Sequence, residues 1–508
     1  MKTTKTLWLA ASFLTLTACL DAAEEQLNWT PLFNGKNLDG WEQRGAGIFK
    51  VEDGCLFGTQ TDGKGGDLFT KQEFDNFELR FTYRVVWPAN SGVWFRGKYQ
   101  FDILKYAKPV AYSGTLYCPG KMFVTTNLNE EIELRTAWNE GQIYANGDHI
   151  MLWLNGQKVG DCHDSTLASG KVGIQVHGGE GMKGMQIFIK RMELRPLKPG
   201  DKPSRPLQPD IPTFLTPESA GPDFAVQGEY EGACGGGKLG AQVIALDGGL
   251  FRAVFHKGGL PGAGWDRSEK IEVKGSTTGG KTVFKGAWNA EISGGTLTGK
   301  TEAGEVFELK RVVRRSPTEG AQSPAGAVVL LDGTNADAWA GGHLDERKLL
   351  AAGTKSKQAF KDFTLHLEFL LPFKPAGRGQ NRGNSGVYVQ DRYEVQVLDS
   401  FGLKGVDNEC GGIYKQAPPA VNMCFPPLQW QTYDMEFTAA RFDESGKKIK
   451  NAVLTVRHNG VTIHDKLELS NVTPGGGLKT ESPQPGPFQL QGHGNPVFYR
   501  NIWVVEKK

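Results

Sequence analysis

The sequence has no charge excess of either sign. Its 508 residues carry 58 Lys and Arg against 56 Asp and Glu, a formal net charge of +2. Phosphate backbones are bound through a clear basic surplus or stripe, so nucleic acid is not an expected partner. Beyond the N-terminal segment no apolar run is long enough to cross a bilayer as a helix. There is no CxxC pair and no Cys/His spacing of a zinc site. No long stretch repeats its apolar residues with a 3.6 period between caps, which argues against extended helices. The 67 glycines follow no three-residue period, which excludes a collagen-like chain. What is present is turn-forming and core-forming material. Glycine is 67 of 508 residues, and 10% of the chain is aromatic, so global disorder is excluded. At roughly 100–200 residues per domain, two to four domains are expected.

Lys2 and Lys5 precede a short apolar stretch from Leu7 to Thr17, the pattern of an export leader. It ends in Leu16-Thr17-Ala18-Cys19, which resembles a bacterial lipobox with Cys19 as the lipidated residue. An ordinary leader cut near Ala23 is the alternative. Leu20, not Asp, follows Cys19. The expectation is an exported protein, periplasmic or at the cell surface, held to the outer membrane only through an N-terminal lipid. Six cysteines remain, and an oxidising compartment permits disulfides. Cys410 and Cys424 close a short loop containing Pro418 and Pro419 and form the favoured pair.

Residues 196–217 hold seven prolines, the composition of a stiff linker. The sequence divides into a leader and tether at 1–26, a first module at 27–197, the linker at 198–222, a middle piece at 223–315 and a last module at 328–508. The first and last modules repeat each other in order. Leu32-Phe33-Asn34-Gly35 with Trp41 matches Leu330-Leu331-Asp332-Gly333 with Trp339. Asn90-Ser91-Gly92-Val93 matches Asn384-Ser385-Gly386-Val387, and Gln175-Val176-His177-Gly178 matches Gln491-Gly492-His493-Gly494. A repeat of this length is a duplicated domain. Its periodicity is two: Phe77, Leu79, Phe81 and Tyr83 alternate with Glu78, Arg80 and Thr82. Asn459-Gly460 between two such runs predicts a hairpin, because both turn residues need positive φ. The fold class is therefore all-β, with a sandwich of two antiparallel sheets in each large module flanking a small β domain.

In the run Tyr393-Glu394-Val395-Gln396-Val397-Leu398-Asp399, alternate side chains share a face. Val395 and Val397 point to the core, and Glu394 and Gln396 point away from it. In the last stretch Gln489, Gln491 and His493 fall on the side opposite Phe488 and Leu490. Carboxylate, amides and imidazole on the non-core face of a curved sandwich suit a sugar groove. In the first module the corresponding positions are Gln100, Asp102, Gln175 and His177.

Asn384-Ser385-Gly386, Tyr393–Asp399, Gly411-Gly412-Ile413-Tyr414, Leu490–Gly494 and Tyr499-Arg500-Asn501-Ile502 together resemble the 3-keto-disaccharide hydrolase family, also described as 3-keto-glucoside 1,2-lyase and 3-keto-2-hydroxy-glucal hydratase. The resemblance is close over 328–508 and looser over 30–195, and it leaves the middle piece out. It implies concanavalin A-like jelly-roll domains and a carbohydrate substrate. The first module departs from the pattern: Gln100, Asp102 and Lys105 replace Glu394, Gln396 and Asp399. The second copy is thus the expected catalytic one.

The implied chemistry needs a base for C2–H beside a 3-keto group, an acid for the leaving oxygen, and donors for the enolate. His493 and Glu394 are the catalytic candidates, with Glu394 as base or as the group that fixes the imidazole tautomer. Gln396, Gln491, Arg382, Asn384 and Asp399 are the substrate-binding candidates, together with Asp102, Gln175 and His177 in the first copy. A divalent cation held by Glu394 and His493 would serve the same purpose, though no ligand spacing demands one. Two other readings stay open. One is a retaining glycosidase of laminarinase type, using Glu394-x-Gln396-x-x-Asp399. The other is a non-catalytic carbohydrate-binding surface protein, in which Trp94, Trp138 and Trp430 stack on sugars.

Overall fold

The computed structural model describes residues 27–135 and 137–507; Cys19 and the leader lie outside them. Strand is the dominant regular structure of the described residues, and their one α-helix is the short Gly221–Val226. The chain forms two compact units, residues 1–210 and 211–508. The proline-rich stretch falls at that boundary.

The first unit is a sandwich of an eight-stranded and a seven-stranded sheet. Phe77, Leu79, Phe81 and Tyr83 lie in its core, as their alternation requires. The opposite face of the same strand is also covered. Glu78 is fully buried, ion-paired to Arg195 at 2.6 Å, and accepts from the Ser204 backbone N–H at 3.0 Å and hydroxyl at 2.7 Å. The proline-rich stretch is therefore a strap on the outer sheet before it becomes a linker.

The middle piece is a closed barrel of eight strands, from Gly228–Cys234 to Val306–Val312, each paired with the next and the last with the first. Tyr230, Val243, Phe255, Phe284 and Leu309 belong to its core. The barrel does not stand alone. Ile244 and Val254 alternate with its core residues and pack into the core of the second sandwich. In return, Phe373 of the sandwich joins the barrel's core, with ring centroids 6.0 Å from Phe214 and 5.2 Å from Phe224. The last two pieces read from the sequence thus make one unit.

The second sandwich has a seven-stranded and a five-stranded sheet. The order in the smaller sheet is Trp339–Ala340, Thr354–Phe360, Gly486–Leu490, Ser385–Val389, Tyr393–Val397. The first sandwich repeats that order with Trp41–Gly45, Gly66–Phe74, Gly170–Val176, Asn90–Phe95 and Tyr99–Ala107, then adds Val110–Cys118 and Met122–Asn127. In the second copy a long loop takes the place of the two added strands. Its Gly411–Ile413 segment pairs with the edge strand: Gly411 N–H donates to the Gln396 carbonyl, and Gln396 N–H to the Gly412 carbonyl, both at 2.9 Å. The predicted hairpin turn is present, with φ of 51° at Asn459 and 80° at Gly460 between the paired strands Ala452–His458 and Val461–Leu469.

Because the barrel and second sandwich share core residues, they are expected to fold together. Burying one such apolar side chain is worth about 1.5–3 kcal/mol. A fragment of residues 211–508 should unfold in one cooperative transition followed by circular dichroism. A fragment of 328–508 should be destabilised and bind a hydrophobic dye. Equal stability of the two fragments would contradict the shared core.

Candidate active site

The site is built on the hairpin formed by Ser385–Val389 and Tyr393–Val397. Its register pairs Gly386 with Gln396 and Tyr388 with Glu394, so the side chains of Tyr388, Glu394 and Gln396 share one face. That face is not open to solvent: Glu394 and Gln396 are each 3% exposed. Gly386 makes the packing feasible. A Cβ there would lie 2.3 Å from Glu394 Oε1, so only glycine lets the carboxyl lie across the neighbouring strand. The Tyr388 hydroxyl donates to Glu394 Oε2 at 2.8 Å, and the Pro474 carbonyl competes for the same proton at 3.0 Å. Gln491 Nε2 reaches the Tyr388 hydroxyl at 3.4 Å. No cation pairs with Glu394 among the described residues. Burial outweighs the single hydroxyl bond and raises the Glu394 carboxyl from 4.5 to about 7.

An amide cluster adjoins the carboxyl. Gln380 Oε1 accepts from Asn384 Nδ2 at 3.1 Å and from Gln396 Nε2 at 3.2 Å. Asn384 Oδ1 is buried without a hydrogen-bond partner among the described residues, an acceptor left over for a substrate hydroxyl.

Arg382 and Asp399 are placed elsewhere. Arg382 Nε donates to Asp399 Oδ2 at 2.7 Å, and its Nη1 donates to the Ala245 and Pro375 carbonyls at 3.1 and 3.0 Å. Both residues are buried, with their polar groups consumed in a joint between sandwich and barrel. They are not available to a sugar. Asp399 therefore does not stand as a second free carboxylate beside Glu394, which removes the laminarinase-type pair.

His493 is not on a strand. The strand ends at Leu490, and His493 is an exposed loop residue. The loop is tied down by Asn495, whose Nδ2 donates to the His493 carbonyl at 3.1 Å. The expected Glu394–His493 hydrogen bond is not formed; Tyr388 takes that place. Among the described residues, no three His, Cys, Asp or Glu side chains gather as a metal-holding cluster.

The first sandwich has the same frame with different chemistry. Gly92 pairs with Asp102, and Trp94 with Gln100, so Trp94 and Gln100 stand where Tyr388 and Glu394 stand in the second copy. A Cβ on Gly92 would lie 2.5 Å from Gln100, the same close approach. Asn90, Gln100, Asp102, Gln175 and His177 line one cleft of about 270 Å³.

A family model for the 3-keto-alpha-glucoside-1,2-lyase-like domain matches residues 28–195 and 326–505, more than half of the chain. The chain belongs to this family. A curated relative in Bacteroides thetaiotaomicron, a 3-keto-disaccharide hydrolase, is 35% identical over 74 residues, 13% of this chain and 26% of the relative. The chain thus spans about a quarter of that relative's length. Among solved structures, a candidate glycosyl hydrolase from Parabacteroides distasonis is 34% identical, with a TM-score of 0.33 over 36% of this chain and 85% of its own. A Bacillus subtilis protein with a galectin-like fold is 16% identical, with a TM-score of 0.26 over 34% of this chain and 95% of its own.

The 3-keto-alpha-glucoside-1,2-lyase-like motifs now acquire physical roles. In Asn-Ser-Gly, the serine fixes the neighbouring strand: Ser385 Oγ donates to the Gln491 carbonyl at 2.7 Å, and Ser91 Oγ to the Gln175 carbonyl at 2.6 Å. Tyr499 supports Ser385 through its hydroxyl at 2.7 Å. Arg500 and Asn501 serve the outer sheet, holding the buried Glu368 at 2.6 and 2.8 Å. Sequence reasoning missed Tyr388 and Gln380. Tyr388 was within reach, because it lies two residues beyond Gly386 and so shares its face. Gln380 sits in a turn that carries no periodic signal.

Cys410 and Cys424 are free thiols, so the expected disulfide is not formed. The loop does bring them near each other in the buried interior, where the Cys424 thiol reaches the Leu398 and Phe425 carbonyls at 3.5 and 3.4 Å. The Cys410 Sγ also contacts the Tyr433 hydroxyl at 3.3 Å, and that hydroxyl donates to the Gln396 carbonyl at 2.6 Å. Both thiols are expected to resist alkylation in the native protein and to be fully alkylated after denaturation without reductant. Peptide mapping that finds them linked would show that the loop closes further than it does here.

Proposed function

We propose that the second sandwich cleaves 3-keto-glucosides, with Glu394 as the base that removes the C2 proton. The observation that carries this reading is the state of that carboxyl: buried, without a cation partner among the described residues, bonded to one hydroxyl, and raised to about 7. A base poised near neutral pH combines a usable ionised fraction with real proton affinity.

A 3-keto group makes C2–H acidic. Glu394 takes that proton, and the electron pair passes into the enolate spread over C2, C3 and the 3-oxygen. The pair then returns to form the C1=C2 bond as the C1–O bond to the aglycone breaks. The aglycone oxygen gains a proton and the product is a 2-hydroxy-glucal with its 3-keto group intact. Water adds its hydroxyl to C1 and gives up its proton to the imidazole that protonated the aglycone, and a proton goes back to C2. Protonated Glu394 is in place to return it, so the carboxyl ends as it began. The net reaction is hydrolysis. Gln396 and Gln491 supply amide donors beside the carboxyl, and the free Asn384 Oδ1 accepts from a sugar hydroxyl. His493, at the exposed end of the Gln491 loop, is the donor for the departing aglycone. The leader belongs to the same proposal: export with lipid on Cys19 would bring the enzyme to substrates outside the cytoplasm, and Cys19→Ala should abolish palmitate labelling.

Glu394→Gln should lower turnover of 3-keto-trehalose by ~10²–10⁴-fold, measured as sugar release by NMR, with folding unchanged by circular dichroism. His493→Ala should be much less harmful on a 3-keto-glucoside of p-nitrophenol, which leaves without an acid. An equal loss on both substrates would remove His493 from that role.

The pH profile provides a separate check. Only ionised Glu394 can act as base, so kcat/KM should rise as pH increases through about 7. The Tyr388 hydroxyl stabilises the ionised form. Tyr388→Phe should therefore move the rising limb to higher pH. A shift to lower pH, or none, would show that another group sets the limb.

A further inference from the structure

The first sandwich holds a cleft that the proposed reaction does not use. Trp94, Gln100, Asp102, Tyr117, Gln175 and His177 are among its lining residues, and no Lys or Arg lines it. The indole of Trp94 is fixed, because its Nε1 donates to Asp67 Oδ1 at 2.7 Å. The Tyr117 ring stands edge-on to it with centroids 6.3 Å apart. The cleft therefore has a rigid aromatic wall.

Its polar floor is unfinished. Gln100 Nε2 is buried and has no hydrogen-bond partner among the described residues. Asp102 is 2% exposed, takes part in no hydrogen bond or ion pair among the described residues, and lines the cleft. Burial alone raises its carboxyl well above the usual carboxylate range. An aromatic wall facing an unpartnered amide N–H and an unpartnered buried carboxyl suits a polyhydroxy ring, which stacks on the wall and hydrogen-bonds to the floor.

The floor also departs from that of the second copy in a specific way. An amide, Gln100, stands where Glu394 does, and an amide cannot take a proton from carbon. The carboxyl has moved two residues along the strand, a displacement of roughly 6–7 Å at the usual rise. We propose that the first sandwich is a saccharide-binding domain, whose cleft holds an uncharged sugar ring against Trp94 and Tyr117 through Gln100 and Asp102 without cleaving it.

The test uses saccharides without a 3-keto group, namely trehalose and the two methyl glucosides, so failure of the elimination chemistry does not affect it. Each is titrated calorimetrically into the full chain. Binding is expected for at least one of them, and it should persist in Glu394→Gln. Asp102→Leu should weaken it at least about tenfold, as expected when a buried hydrogen-bonding group is removed. Asp102→Asn should retain it within about threefold, because a hydrogen-bonding group of the same shape remains. Gln100→Leu should weaken it similarly and gives a second reading if Asp102→Leu fails to fold. The proposal is overturned if none of the three sugars binds, if binding survives both leucine variants, or if Glu394→Gln is what removes it. It is also overturned if Asp102→Asn abolishes turnover of 3-keto-trehalose, since the first sandwich would then be the catalytic one.

Discussion

The arrangement rests on two adjacent small residues, repeated in both sandwiches. At Gly386 and Gly92 the missing Cβ lets the cross-strand side chain, Glu394 or Gln100, lie flat over the neighbouring strand. At Ser385 and Ser91 the hydroxyl bonds the carbonyl of Gln491 or Gln175 and fixes the end of the third strand. The serine sets where the floor ends and the glycine sets how low the functional group lies on it. Neither touches a substrate in the proposed reaction, yet Glu394, Gln100 and the backbone at Gln491 and Gln175 are placed by them.

The acidity of Glu394 follows from what the fold keeps away from it. Moving a carboxyl from 4.5 to about 7 corresponds to about 3 kcal/mol disfavouring the ion. One hydroxyl bond does not offset that, whereas a nearby guanidinium would. Arg382 is close in sequence, but Asp399 and backbone carbonyls consume it. The buried ion pair anchors the sandwich to the barrel.

Much of this frame was legible in the sequence. Period-two alternation fixed which residues of the Phe77 and Tyr393 strands enter the cores, and the Asn-Gly pair located its turn. Duplication was legible because the Asn-Ser-Gly and Gln-x-(His) stretches recur in order. What failed was the assumption that a non-core face meets water. Glu394 is covered by segments such as Gly411–Ile413 and Thr473–Gly475, far away in sequence and without any period. The barrel's independence failed for a related reason. Ile244 and Val254 read as ordinary strand residues, and nothing local says that the core they enter belongs to another domain. His493 was assigned to a strand that ends three residues earlier.

The core shared by barrel and sandwich also bears on biogenesis. Chains grow from the N-terminus, and domains generally fold as they emerge. The barrel closes when Val306–Val312 pairs with Gly228–Cys234, but the sandwich core that Ile244 and Val254 enter comes later in the chain, including the loop at Gly402 that packs on Ile244. A nascent chain therefore carries Ile244 and Val254 on an uncovered apolar patch, and a barrel core still lacking Phe373, until the sandwich emerges. Over that interval the patch is a natural site for a holding chaperone, and truncation near the C-terminus would leave it permanently uncovered.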